Sequence, residues 1–244
     1  MPSHASSTVC IRGLPYLDAT KEELANILQK RLETEQRTVV FTPNAGIAGE
    51  AQHNADLHRL LAEADLLLPD GAGILLASRR LASHALTHRL AGIEAGEMVL
   101  SLAAEKSYPV YFLGGQPGVA EAAAKVWQQR LPTLTIAGTH HGYFDPSGSE
   151  NDRILRDVQG SGARILFVCL GFPAQEKWIV QNKDRLPSIR LFMGLGGSLD
   201  VWAGHVRRAP TLVRRIHLEW LWRMLASPRK FARLPTMLRF VFGR

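Results

Sequence analysis

Thr42, Asn44 and Asp70 each follow directly on a short apolar run: Val39-Val40-Phe41 precedes Thr42-Pro43-Asn44, and Asp65-Leu66-Leu67-Leu68 precedes Pro69-Asp70-Gly71. Between the two runs, Ile47, Ala51, Leu57, Leu60 and Leu61 have a helical spacing. Two parallel strands joined by a helix must end at the same edge of a sheet. The three polar residues are therefore expected together at the carboxyl edge, where open α/β sheets bind their ligands. A carboxylate delivered there beside a hydroxyl and an amide is a candidate general base. An ordinary Asp-Gly turn is the competing reading.

Further strands are expected to stop at glycine-rich turns: LGGQPG (Gly114, Gly115), LGFPAQE (Gly171) and GLGGSLD (Gly196, Gly197). Bare backbone amides at helix starts can approach a phosphate, so several such turns at one edge point to a nucleotide or nucleotide-sugar site. None fits the dinucleotide or P-loop fingerprints. Asp200 is a second edge carboxylate, suited to bonding a base or ribose. Gln175 can bond sugar or phosphate, Glu176 beside it complements a helix dipole, and Tyr143 can stack on a nucleobase or simply pack. No D-x-D occurs, which suggests that leaving-group charge is met by arginines and amides rather than by a divalent ion. His140-His141 reads as surface histidine, because adjacent residues do not share a face and no carboxylate cluster completes a site. Cys10 and Cys169 both lie in apolar runs and read as buried, inert thiols in a reducing compartment.

Elements that would position these residues alternate along the chain. Strands are expected at Val9–Ile11, Pro109–Leu113, Leu134–Ala137, Arg164–Leu170 and Arg190–Met193, besides the two above. Helices are expected from the Thr20 capping box to about Leu32, then at Ile74–Leu81, Ile93–Lys106, Val119–Arg130, Asn151–Gln159 and Ala174–Asn182, with 194–200 as a turn. This order predicts an α/β, Rossmann-like, mostly parallel sheet with helices on both faces, spanning residues 1–206.

Residues 207–244 differ in character. They hold ten Arg or Lys and one acid, Glu219, in a chain of net charge +7, so the remainder is close to neutral. Trp220, Trp222, Leu, Met and Phe are interleaved with the arginines. A basic amphipathic, helical appendage with so much large apolar surface favours an anionic membrane over nucleic acid. The first residues lack the apolar centre of a signal peptide and no run is long enough to span a bilayer, so a cytoplasmic location is expected.

TPN (42–44), PDG (69–71), Arg89-Leu90-Ala91-Gly92, FLGG (112–115), HGYF (141–144), LGFPAQEKW (170–178), GLGGSLDVWAG (194–204), RAP (208–210) and EWLWR (219–223) occur in this order. In that order they resemble the WecG/TagA/CpsF glycosyltransferases, over about residues 39–233. The resemblance implies an inverting, metal-independent enzyme that moves a hexose or N-acetylhexosamine from a UDP-sugar. The acceptor it implies is a sugar on a polyprenyl diphosphate, met peripherally at the inner membrane face, in surface polysaccharide synthesis. Carried over by motif, Asp70 is the base with Thr42 and Asn44 beside it, while Gln175, Asp200 and Tyr143 bind the donor. Arg89 and Arg208 join the substrate contacts, and Arg223 and Arg233 close over the diphosphate. Ser227-Pro228-Arg229-Lys230 departs from the more usual Glu-Pro and later Arg, and Lys230 lacks the bidentate fork. The resemblance adds no cofactor and leaves a homo-oligomer open. A non-catalytic UDP-sugar-binding module docked at the membrane is the alternative.

Overall fold

The computed structural model describes residues 7–206, 209–210 and 234–243. Two antiparallel strands open it, β1 (Ser7–Ile11) and β2 (Leu14–Asp18), followed by α1 (Lys21–Glu33) and β3 (Thr38–Phe41). Then come α2 (Ala45–Gln52), α3 (Ala55–Ala62), β4 (Leu66–Leu67), α4 (Ala72–Leu81) and α5 (Gly92–Lys106). The second half runs β5 (Val110–Gly114), α6 (Val119–Arg130), β6 (Ile136–His140), α7 (Ser149–Gly160), β7 (Ile165–Cys169), α8 (Ala174–Asn182), β8 (Leu191–Gly194) and α9 (Ser198–Trp202). A last described helix, α10, covers Leu234–Phe242.

The strands form one sheet in the order β1-β2-β4-β3-β8-β7-β5-β6, parallel except for the first pair. Side chains alternate across it as the pleat requires. Val40, Phe112, Phe167 and Met193 face a core shared with α1, α5, α6 and α9. Val39, Phe41, Tyr111, Leu113, Val168 and Phe192 face one shared with α2, α4, α7, α8 and α10. The expected doubly covered sheet is therefore present.

Four expectations change. Residues 45–62 are two helices, because Asn54 caps a new one by accepting from the amides of Asp56 and Leu57. LPYLD is an unexpected strand, reached through a two-residue turn at Arg12-Gly13 with φ of 52° and 83°. Residues 198–202 are a short helix rather than part of a turn. Cys10 is exposed, since Val9 and Ile11 take the inward positions of a strand at the sheet's edge.

Candidate active site

The carboxyl edge has two parts. In the first, pairing of β3 with β4 continues one step beyond the strands through a parallel bridge between Asn44 and Asp70. The sequence thus does bring these two together. Asn44 is exposed and its Oδ1 caps α2, accepting from the amides of Gly46 and Ile47 at 3.0 and 3.1 Å, so its NH2 end remains for a ligand. Thr42 is half-buried and donates to the Gly194 carbonyl at 3.2 Å, which ties the end of β3 to that of β8. Asp70 is half-buried, directly before the start of α4.

The loop between α4 and α5 carries Arg89 to the same place. Leu90 donates its amide to Pro69 O at 3.1 Å. Gly92 lies so close to Thr42 that an added Cβ would sit 2.7 Å from its Oγ1. Arg89 bonds Glu94 at 3.3 Å, and Glu94 also pairs with Lys21 at 2.7 Å. The two residues just before Arg89 are held by Asp18, which sequence reasoning missed. Its carboxylate accepts from the amides of Thr87 and His88, the Thr87 hydroxyl and the His88 ring at 2.9–3.1 Å. Burial alone would raise the Asp18 pKa, but these hydrogen bonds outweigh it and hold the carboxyl below its ordinary value.

The second part is a cleft of about 460 Å³ over the ends of β5, β6, β7 and β8. Helices leave these strands toward alternating faces, α9, α8, α6 and α7 in sheet order, and this divergence opens the groove. Of the expected residues, Gly115, Tyr143, Gly171, Gly196, Gly197 and Asp200 line it. Gln116 and Gly142 join them; both belong to motifs already recognised, LGGQPG and HGYF. Gly142 permits close loop packing: its amide bonds Gly115 O at 2.8 Å, and an added Cβ would lie 2.7 Å from Leu170 Cδ2.

Two expected ligand contacts have other work. Gly114 is not on the wall but packed behind it against Cys169. Gln175 is buried; its Oε1 accepts from the Gly196 amide and its Nε2 donates to Glu176, both at 2.8 Å, so it braces the glycine turn. Cys169 is buried, and desolvation pushes its thiol up to about 12, which removes it as a nucleophile. Arg208, Arg223 and Arg233 lie outside the described residues.

The premise that no carboxylate comes near His140 and His141 does not hold. Because β6 ends at His140, strand alternation stops there; the rings lie 4.5 Å apart between centroids, and the first turn of α7 returns Glu150 to them.

The last helix also has a definite seat. Phe240 and Val241 of α10 are buried in the core shared with α2 and α4, while Leu238 and Phe242 are exposed. Among the described residues, no helix is long and apolar enough to cross a membrane.

Comparison with known proteins supplies the family. The model of the Glycosyl transferase WecG/TagA/CpsF family matches residues 9–243. Proteins of Staphylococcus aureus strains MRSA252 and NCTC 8325 / PS 47, each an N-acetylglucosaminyldiphosphoundecaprenol N-acetyl-beta-D-mannosaminyltransferase, are 31% identical over 239 residues, covering 97% of this chain and 92% of theirs. With both the motifs and nearly the whole length matched, the chain belongs to the WecG/TagA/CpsF glycosyltransferase family.

Proposed function

We propose that the protein transfers an N-acetylhexosamine or hexose from a UDP-sugar to a sugar carried on a polyprenyl diphosphate, with inversion at the anomeric carbon. One observation carries the reading: the Asn44–Asp70 bridge sets a carboxylate and an amide beside a glycine-walled cleft on the same edge. With neighbouring strands about 4.8 Å apart, the end of β4 lies roughly 10 Å from that of β8, a separation that a diphosphate and one sugar ring can span.

In this reading the nucleotide occupies the cleft, with Tyr143 against the base and Asp200 bonding base or ribose. Amides of the glycine turns face the diphosphate, and Gln175 acts through Gly196. The sugar extends past β8 toward Thr42 and Asn44. Asp70 takes the acceptor hydroxyl proton while that oxygen attacks from the face opposite UDP. Departing charge is met by amides and arginines, Arg89 and those of residues 207–233, without a metal ion on the diphosphate. The relatives' names support a lipid-linked acceptor and an amino-sugar donor. The basic segment would hold the enzyme peripherally on an anionic membrane.

The deciding experiment measures product formation from a panel of UDP-sugars with a GlcNAc-diphosphate-lipid acceptor, in buffer with and without EDTA. Acceptor-dependent UDP release that Asp70→Asn abolishes supports the reading. UDP binding without turnover of any donor would leave a binding module instead.

A further inference from the structure

Among the described residues, one group of three His, Cys, Asp or Glu side chains brings its ligand atoms within 4.8 Å of one another: His140, His141 and Glu150. They come from the end of β6, the residue after it and the first turn of α7, so two rigid elements hold the cluster. His140 Nδ1 lies 2.8 Å from the His141 carbonyl oxygen. That contact is a hydrogen bond only if Nδ1 carries the proton, which leaves Nε2 with its lone pair free, the arrangement usual for a metal-ligating imidazole. Phe144 stands edge-on to the His140 ring at 6.0 Å and limits its rotation. Glu150 is partly exposed, and no cation among the described residues pairs with it.

We propose that His140, His141 and Glu150 bind one divalent transition-metal ion at the lip of the cleft. Two imidazoles and one carboxylate suit Zn2+ or Co2+ rather than Mg2+, which prefers an all-oxygen shell. A solvent molecule fills the fourth position, because Glu150 faces water. The site lies beside the proposed chemistry rather than in it: Asp70 is at the other end of the edge.

Loading has a local consequence. His141 Nδ1 now receives the Tyr143 amide at 3.3 Å. A metal taking that nitrogen displaces the amide, and one taking Nε2 requires the proton on Nδ1, which expels it as well. Either route frees the backbone of Tyr143, a wall residue of the cleft. The ion thus fixes both ends of the 140–150 loop while changing its middle.

Co2+ added to the full chain, followed by visible absorption and calorimetry, tests this without reference to transferase activity. One equivalent should bind, with intense ligand-field bands of low coordination number. His140→Gln and Glu150→Gln should each weaken binding at least about tenfold, while His53→Gln on the far helix α2 end leaves it unchanged. Glu150→Gln keeps the size and position of the side chain, so its loss of binding reports a lost ligand rather than a misfolded loop. Melting temperatures in EDTA, equal for wild type and variants, verify this. Absence of one-to-one binding, or equal affinity in wild type and both variants, overturns the site.

Discussion

The two parts of the carboxyl edge are built from different materials. Over β3 and β4 the working groups are side chains, each tied down by neighbours: Thr42 to Gly194, Asn44 to the start of α2, Arg89 to Glu94. Over β5 to β8 half of the lining residues are glycines, in turns held by Gln175 behind the Gly196 turn and by the Cys169 carbonyl, which accepts from the Gly115 amide. Side chains at fixed positions suit proton transfer, which needs one atom in one place. Amide-lined walls suit a polyanion, whose many oxygens need many weak donors. The division therefore predicts that variants on the first side damage turnover and variants on the second damage binding.

Asp70→Asn tests the first half and carries the largest expected effect. Turnover should fall by roughly two to four decades, the usual range for loss of a general base, with UDP affinity nearly unchanged in calorimetry. Near-normal turnover would remove Asp70 from the chemistry. Gly142→Ala tests the second half. The added methyl meets Leu170 and, at 3.1 Å, the Cα of Gly114, so the HGYF loop must move away from the LGG turn. UDP should bind about tenfold more weakly, equivalent to ~1.4 kcal/mol, while turnover at saturation changes little. A fall in turnover with unchanged UDP affinity would erase the contrast between the halves.

Asp18 sharpens the comparison, because it serves the first half from a distance. Its folded pKa is depressed, so its contribution to stability is present above the unfolded value of about 4 and is lost as pH falls through the folded value. Asp18→Asn should lower the melting temperature at pH 7 and flatten the loss of stability on acidification below pH ~4. An acid limb as steep as wild type's would show that other carboxylates dominate it. The same variant should slow transfer through a misplaced Arg89 loop more than it weakens UDP binding.

How far this was legible in the sequence differs along the chain. Val119–Arg130 and Ala174–Asn182 are helices at the expected residues because apolar spacing and flanking Gly or Pro agree there. Strand β2 was hidden by Pro15, which argues against a strand interior, and by a turn that lacks the usual Asn-Gly pair. The break at His53-Asn54 had a readable sign, an asparagine at a cap position, masked by helical spacing on both sides. At the site, strand-end logic placed Asn44 and Asp70 together because it needs only parallel order. It could not show that Gln175 turns inward to Gly196, or that Glu150 returns to His140, since both depend on side-chain direction after an element ends.

The smallest effect concerns how the chain's last helix bears on the first half of the edge. Arg80, at the end of α4, donates one bond to Phe240 O at 3.1 Å and another to Gly243 O, holding the carbonyl end of α10. Cations are favourable there for the helix dipole as well. Beneath it α10 covers α2 and α4, the helices that start beside Asn44 and Asp70. Removing residues 207–244 outright would therefore uncover core as well as remove charge, and would not isolate membrane attachment. Arg80→Ala is cleaner: two partly solvent-exposed bonds are lost and Phe240 and Val241 keep their seats. Stability should fall by only about 1 kcal/mol, with faster amide exchange confined to 234–243. Exchange that accelerates equally in α2 and α4 would mean that α10 and the Asp70 side open as one unit, and the clamp would then belong to the machinery it covers.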